Sequence, residues 1–144
     1  MIRIIAGGKK HPNWLREPIA EYEKRLTKPY QITWEFIEEE KLNQKLLNWP
    51  FDRAKHFVIV ADERGENISS DAYSAKLTTA LENGREVVIL IGGAYGFDQI
   101  VRDRADFLWS FSNLIFPHLI ARLIFTEQTY RAYETHRGSH YHHA

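Results

Sequence analysis

The chain has 144 residues, about the size of one domain, and its 44% hydrophobic residues are enough for a single buried core. The 19 basic and 19 acidic residues balance, so the overall charge does not indicate a nucleic-acid or membrane partner. There is no cysteine, which excludes disulfides, thiolate metal sites and a cysteine nucleophile. No apolar run approaches the ~18 residues of a membrane span and the first run is too short for a signal peptide, so we expect a soluble, cytoplasmic protein.

The first part of the chain predicts two pairs of a strand and a helix. Residues 2–6 form a short apolar strand, and residues 30–37 carry apolar side chains at alternate positions, as a half-buried strand does. A helix is expected between them, because apolar residues recur at spacings of three and four from Trp14 to Leu26, although Pro18 obscures where it starts. Residues 41–49 are a candidate for a short, polar helix.

The middle of the chain predicts a buried strand followed by a capped helix. Residues 57–61 are apolar and largely β-branched, which is typical of a strand covered on both faces. Ser69 or Ser70 is the candidate N-cap of the next helix, and Gly84 is its stop signal. The apolar positions of this helix recur every four residues: Tyr73, Leu77 and Leu81.

The remaining elements continue the alternation. Strands are predicted at residues 87–91 and 107–110, a short helix at 98–105, and a long helix at 117–133. The long helix carries an apolar flank formed by Leu119, Ile120, Leu123 and Ile124. Strands that alternate with helices predict an α/β fold with one parallel, doubly wound sheet and helices on both faces. No repeat or linker divides the chain, so we expect one domain over residues 1–144.

Three loops are candidates for a ligand site, because ligands of such sheets bind beyond the carboxyl ends of the strands. They are residues 62–65, 92–96 and 111–117. The glycines of the second loop are compatible with a tight turn that binds nothing. They do not form a dinucleotide fingerprint, and the chain has no Walker-type phosphate loop. The third loop places apolar residues in a turn, which suits an adenine ring better than water.

The carboxyl-terminal tail is rich in histidine. The last nine residues contain His136, His140, His142 and His143. A purification-tag remnant and a metal-binding tract are two interpretations, but no carboxylate or cysteine joins the cluster at ligand spacing, so no metal site is predicted. The third interpretation is a basic tail that contacts phosphate and takes up a proton near neutral pH. For His118, at the start of the long helix, a structural or capping role and a chemical role both remain open.

Several short motifs, in their order and spacing, resemble those of the RlmH family. The similarity extends over nearly the whole chain and includes Trp14 and Tyr22 in the first helix. The motifs are Leu90-Ile91-Gly92-Gly93-Ala94-Tyr95-Gly96, Trp109-Ser110-Phe111-Ser112, Pro117-His118-x-x-x-Arg122, Glu127-Gln128-x-Tyr130-Arg131-Ala132 and Tyr141-His142, with Asp62-x-x-Gly65 after the third strand. Each motif is weak alone, but the combination is specific.

This resemblance implies a minimal SPOUT methyltransferase that uses S-adenosylmethionine. The implied reaction is methylation of N3 of a pseudouridine in a hairpin loop of large-subunit ribosomal RNA, in an assembled ribosomal particle. It also implies a carboxyl-terminal trefoil knot and a homodimer with each active site at the subunit interface. General topology rules would have argued against the knot.

Carried over to this sequence, the family's cofactor-binding positions are Ala61, Gly92, Gly93, Ser112, Asn113, Leu114, Ile115, Phe116 and Pro117. The glycines would then leave space for an adenosine and not for a phosphate. His142 is the candidate general base, Tyr141 stacks on or hydrogen-bonds the target base, and Arg131 is a clamp for phosphate or carboxylate. A salt bridge from Arg131 to Glu127 is the alternative. The RNA-binding candidates are Arg122, Arg137 and His143.

The tail differs from the family pattern. Ser139-His140-Tyr141-His142-His143 stands where the family has His-Pro-Tyr-His followed by arginine or lysine, so a proline and a permanent charge are missing. Ala61 also replaces a usual leucine, and Glu66 replaces a usual basic residue. An alternative function is therefore a catalytically silent, cofactor-binding dimer that acts in ribosome assembly or sensing. A flavodoxin-like nucleotide binder is a third interpretation, which the absence of a phosphate cradle disfavours.

Overall fold

Strands and helices alternate along the computed structural model, which describes residues 1–93 and 95–141. Within these residues the strands are β1 (Ile2–Gly7), β2 (Ile32–Ile37), β3 (His56–Glu66), β4 (Glu86–Ile91) and β5 (Phe107–Trp109). The helices are α1 (Asn13–Glu23), α2 (Glu39–Leu47), α3 (Ser70–Glu82), α4 (Gln99–Asp103) and α5 (His118–Arg137). Every predicted element is present, with boundaries that differ by a few residues.

The strands form one sheet in the order β2-β1-β4-β3-β5, and every neighbouring pair is parallel. Side chains of a strand alternate between the two faces, so each central strand contributes to two cores. In β1, Ile4 belongs to one hydrophobic cluster and Ile5 to the other. In β4, Ile89 and Leu90 divide in the same way. The continuous apolar runs of the sequence therefore follow from burial on both faces, as predicted.

Helices cover both faces of the sheet. On one face, α5 packs against α1 and α3, and Phe125 and Leu77 lie in the cluster on that side. On the other face, α2 packs against α4, and Leu42 and Val101 lie in the second cluster. The α/β fold with helices on both faces is thus confirmed.

Strand β3 is longer than the sequence predicted. Residues 62–65 were expected to be a loop, but β3 continues through them to Glu66, which pairs with Trp109 after an irregularity in register that begins at Ala61. Gly65 makes this pairing possible, because a Cβ at that position would lie 2.5 Å from the carbonyl carbon and oxygen of Leu108. The predicted loop is therefore a bulged strand segment that still lies at the carboxyl edge of the sheet.

Helix α5 extends four residues beyond the predicted end. It stops at Gly138, which has a φ of 75° in the left-handed region and donates its N–H to the Thr135 carbonyl. Glycine adopts this conformation without the steric cost that other residues incur. Among the helices of the described residues, none has the length and apolar character needed to cross a membrane.

The start of α3 distinguishes between the two candidate caps. Ser69 is the N-cap, and its side-chain oxygen accepts a hydrogen bond from the N–H of Ala72 at 3.1 Å. Ser70 is the first residue of the helix. The cap satisfies one of the backbone donors that a helix leaves free at its amino end.

Replacement of Ser69 by alanine should therefore lower the free energy of unfolding by about 1 kcal/mol, the usual loss for a side-chain N-cap. Ser70→Ala is the matched control, because Ser70 is in the first turn of the helix and is not the cap. It should change the free energy of unfolding by about a few tenths of a kcal/mol, which is the difference in helix propensity between serine and alanine. Urea denaturation of the three proteins measures both values. Equal effects of the two substitutions would contradict the assignment of the cap.

Candidate active site

A cavity of about 300 Å³ lies at the carboxyl edge of the sheet. It is bounded by the bulged end of β3, by the segments that follow β4 and β5, and by the first turn of α5. These segments meet because parallel strands all end at the same edge, which is where α/β sheets bind ligands. Residues of all three candidate loops line the cavity together.

The predicted cofactor-binding positions are concentrated here. Seven of the nine line the cavity: Ala61, Gly92, Gly93, Ser112, Leu114, Ile115 and Phe116. The other two, Asn113 and Pro117, are exposed and are not among the lining residues. Most of the predicted cofactor positions therefore line one cavity, and Asn113 and Pro117 are the two that do not.

One wall of the cavity is apolar and unusually exposed. Leu114 and Ile115 are 69% and 82% exposed, and Phe116 is 37% exposed. The turn that presents them is held by Ser112, whose Oγ accepts the N–H of Leu114 at 2.9 Å. Ser110 Oγ donates to the Ser112 carbonyl at 2.9 Å. Exposed apolar residues beside a cavity are typical of a surface that a ligand or a partner covers.

Trp109 lines the same cavity and carries a polar atom that is buried in the structure. Its ring is 4% exposed and stacks on Tyr73, with ring centroids 4.2 Å apart. The Tyr73 hydroxyl forms a hydrogen bond of 3.1 Å with Thr129 Oγ1. Trp109 Nε1–H is buried and has no hydrogen-bond partner within residues 1–93 and 95–141. A buried donor without an acceptor is costly, so the unpaired Nε1–H destabilises this part of the structure.

The sequence did not identify Glu39, which lies at the start of α2. A Cβ built on Gly93 would overlap the Glu39 carboxylate. Glycine at position 93 therefore allows the Glu39 side chain to approach the backbone there. Glu39 Oε1 lies 3.8 Å from Nε2 of His118, and His118 lines the cavity. His118 is not a side-chain cap, because α5 begins after Pro117 without a side-chain cap bond. In the sequence, what could have indicated that Glu39 lies near the cavity is its position just after β2, at the same edge of the sheet.

Arg122 was predicted to bind RNA, and the structure contradicts that prediction. Its side chain is fully buried in α5. Its Nη2 donates to the Gly7 carbonyl at 3.0 Å and its Nη1 to the Lys9 carbonyl at 3.0 Å. The guanidinium also lies 5.1 Å above the ring of Phe36. Arg122 therefore fixes the segment after β1 to α5 and does not reach the surface.

His11 completes this arrangement. Its Nδ1 lies 3.3 Å from Nη1 of Arg122, and its ring meets Trp34 and Phe36 edge to face. Desolvation, followed by the positive charges of Arg122 and Arg16, lowers the pKa of His11 to about 4. The imidazole is therefore neutral at physiological pH, and Nδ1 can accept a hydrogen bond from the guanidinium.

The predicted catalytic residues form a second group. Arg131 Nη2 donates to Glu127 Oε1 at 2.5 Å, the salt bridge that was the alternative to a clamp. Tyr141 donates its hydroxyl to the same oxygen at 3.3 Å, and its ring packs against Tyr130. Desolvation, then the Glu127 charge, raises the pKa of Tyr141. The Arg131 guanidinium lies 5.2 Å from the Tyr141 ring centroid.

The cavity and this second group are separate within residues 1–93 and 95–141. Arg131 and Tyr141 are absent from the lining of the cavity. Arg131 lies ten residues after the cavity residue Ala121 in α5. Because each helical residue rises about 1.5 Å, the two are separated by about 15 Å along the helix axis. Arg137, predicted to bind RNA, lies near the end of α5 with its side chain 55% exposed and pairs with Glu134 at 3.4 Å. His142 and His143 lie outside the described residues.

The fold and the cavity are those of a known class of enzyme. The family described as "Predicted SPOUT methyltransferase" matches residues 1–142, and the chain therefore belongs to the SPOUT methyltransferase family. Family membership agrees with the parallel sheet and with a ligand cavity at its carboxyl edge.

Relatives within this family carry one name. A protein named Ribosomal RNA large subunit methyltransferase H from Streptococcus mutans serotype c (strain ATCC 700610 / UA159) is 35% identical, over 98% of this chain and 98% of its own length. Proteins of the same name from Bifidobacterium adolescentis (35%; 98% of each chain) and Dechloromonas aromatica (32%; 98% of this chain and 97% of its own) are similar. The resemblance to the RlmH family is thus confirmed.

The low pKa of His11 predicts a pH dependence of stability. Between pH 6.5 and about 4 the unfolded chain binds a proton at His11 that the folded chain does not, so the free energy of unfolding falls as the pH falls. In His11→Gln this contribution is absent, and the slope should be shallower by at most about 1.4 kcal/mol per pH unit within the window. Urea denaturation at several pH values measures the slopes. Parallel curves for the two proteins would contradict a neutral His11.

Proposed function

We propose that this protein is an S-adenosylmethionine-dependent methyltransferase that methylates N3 of a pseudouridine in a hairpin loop of large-subunit ribosomal RNA. Two findings support the proposal. The relatives over the whole chain are named as ribosomal RNA large-subunit methyltransferases. Seven positions that the family pattern assigns to the cofactor converge on one cavity, and this convergence is the main support.

The cavity residues suit an adenosine that carries no phosphate. The apolar side chains of Leu114, Ile115 and Phe116 would cover the adenine. Among the described lining residues the lysine and arginine side chains are represented by Arg64 alone, and its Nε already donates to Asp62 Oδ1 at 3.1 Å. When bound, S-adenosylmethionine would supply the methyl group on its positively charged sulfur.

The target nitrogen is part of an imide and must lose its proton before it attacks a methyl carbon. We assign the removal of this proton to His142, because histidine is the usual general base for reactions near neutral pH. Tyr141 would stack on the target base. Glu127 and the Tyr141 ring hold the Arg131 guanidinium, which we assign as the clamp for a phosphate or carboxylate.

A homodimer would bring the two groups together. The cavity lies at the start of α5, whereas Arg131 and Tyr141 lie at its far half and beyond it. In an antiparallel pair of α5 helices related by a two-fold axis, each cavity would face the tail of the partner. The flank expected to pack against that partner is half-exposed in the single chain: Leu119, Ile120, Leu123 and Ile124.

The remaining parts of the proposal follow from the family. We infer a carboxyl-terminal trefoil knot in a single domain of residues 1–144. Because the relatives act on ribosomal RNA by name, we place the protein in the cytoplasm. A small, electrically neutral protein binds naked RNA weakly, so an assembled ribosome or large subunit is the proposed substrate.

Gly93 provides a test of the cofactor site. Valine at position 93 would fill the cavity and displace the Glu39 carboxylate, and that side chain can move into solvent. Gly93→Val should therefore stay folded and lose measurable binding of S-adenosylmethionine in calorimetric titration. The matched control is Glu39→Ala, which removes the displaced group and should retain binding. Normal affinity in Glu39→Ala/Gly93→Val would show that the cofactor does not lie against Gly93.

A mixing experiment tests the shared active site. Gly93→Val damages the cavity and His142→Ala should lower the single-turnover rate by about 100-fold, so each homodimer should be almost inactive. If each site combines the cavity of one subunit with the tail of the other, a heterodimer contains one intact site. After subunit exchange, an equal mixture should recover about a quarter of wild-type methylation of ribosomes. No recovery, with heterodimers verified by mass spectrometry, would place each site within one subunit.

A further inference from the structure

A short basic segment, residues 8–16, connects β1 to the first turn of α1. It contains Lys9, Lys10 and Arg16 and no acidic residue, so its formal charge is +3 in a chain whose net charge is +0. All three side chains are exposed. None of them forms an ion pair with an acidic side chain in the part of the chain that the structure describes. The charge of this segment is therefore uncompensated.

A fourth positive charge lies directly beneath the basic segment. Arg122 is fully buried, yet its hydrogen bonds go to neutral groups: the Gly7 and Lys9 carbonyls and the His11 ring. Within residues 1–93 and 95–141, no carboxylate lies within 4 Å of its guanidinium nitrogens, and its Nε has no hydrogen-bond partner. A buried charge without a counter-ion is unfavourable. An anion bound to the segment above it would offset part of that cost.

The segment starts beside the cavity. A Cβ built on Gly7 would lie 3.1 Å from the Gly93 nitrogen, and one built on Gly8 would lie 4.0 Å from Nε2 of His118. Gly93 and His118 both line the cavity. The exposed lysines Lys9 and Lys10 follow immediately in the chain. The uncompensated charge is thus placed at the edge of the sheet where the substrate would approach.

We propose that the basic segment is a docking surface for the phosphate backbone of RNA. This inference rests on the proposed function and specifies which surface holds the substrate. Lys9, Lys10 and Arg16 contact phosphates outside the target nucleotide and carry no sequence information, as backbone contacts do. Arg122 acts as a positioning residue, because its bonds to Gly7 and Lys9 hold the segment against α5.

The test compares two double variants that remove the same charge from opposite edges of the sheet. Lys9→Ala/Lys10→Ala removes two charges from the basic segment. Lys28→Ala/Lys55→Ala is the matched control, because both lysines are exposed and precede the amino ends of β2 and β3. The probe is ribosomes purified from cells that lack this protein. Cosedimentation at several salt concentrations gives the dissociation constant and its salt dependence.

We expect Lys9→Ala/Lys10→Ala to bind ribosomes on the order of tenfold more weakly and to reduce the slope of log affinity against log salt by about 1 to 2. Affinity for S-adenosylmethionine and the methylation rate at saturating ribosomes should not change. The control should match the wild type. Lys9→Arg/Lys10→Arg should restore binding, since the charge is what acts.

Three results would overturn the inference: unchanged ribosome binding, an equal loss in the control, or weakened binding of S-adenosylmethionine. The last result would mean that the charges serve the carboxylate of the cofactor. Failure of the proposed function has a different signature. A wild-type protein that binds ribosomes through this segment and does not methylate them supports the docking surface and contradicts the methyltransferase.

Discussion

The buried guanidinium of Arg122 is the interaction on which the arrangement of the catalytic edge depends. It joins the first turns of α5 to the carbonyl groups at the end of β1. The start of α5 lines the cavity, and this contact fixes it relative to β1. Strand β1 in turn pairs with β4, whose following segment also lines the cavity. Burying this charge is unfavourable, and the contacts of the guanidinium with two carbonyl groups, with the neutral His11 and with the ring of Phe36 offset part of that free energy. A family residue expected to touch RNA therefore acts from the interior of the protein.

The length of α5 sets the second constraint. A helix of 20 residues places its two ends about 30 Å apart, and the proposed cofactor and tail groups occupy different halves of it. Under the proposed function, a single chain of this topology would hold two halves of an active site and not a whole one. Symmetric pairing is the simple solution, because a two-fold axis across α5 would complete both sites at once. The half-exposed apolar flank around Leu123 would lie on the same axis.

Most of the fold could be predicted from local patterns. Apolar runs and helical spacings identified every element, and the rule that ligands bind beyond parallel strands identified most of the cavity lining. What could not be predicted depends on contacts between distant residues. The extension of β3 requires Gly65 to approach Leu108, and the role of Glu39 requires its approach to Gly93. Arg122 was misassigned because a basic side chain is normally exposed, although its place between Ala121 and Phe125 on the buried stripe of α5 was a readable signal.

The central claim is that this SPOUT methyltransferase modifies N3 of a pseudouridine in large-subunit ribosomal RNA. Mass spectrometry of nuclease fragments of ribosomal RNA, from cells with and without this protein, tests it most directly. The account predicts that one hairpin-loop fragment is lighter by a single methyl group in the cells that lack the protein. The wild-type gene should restore that methyl group and the Gly93→Val gene should not. Identical fragments from both cell types would contradict the claim and favour a catalytically silent protein.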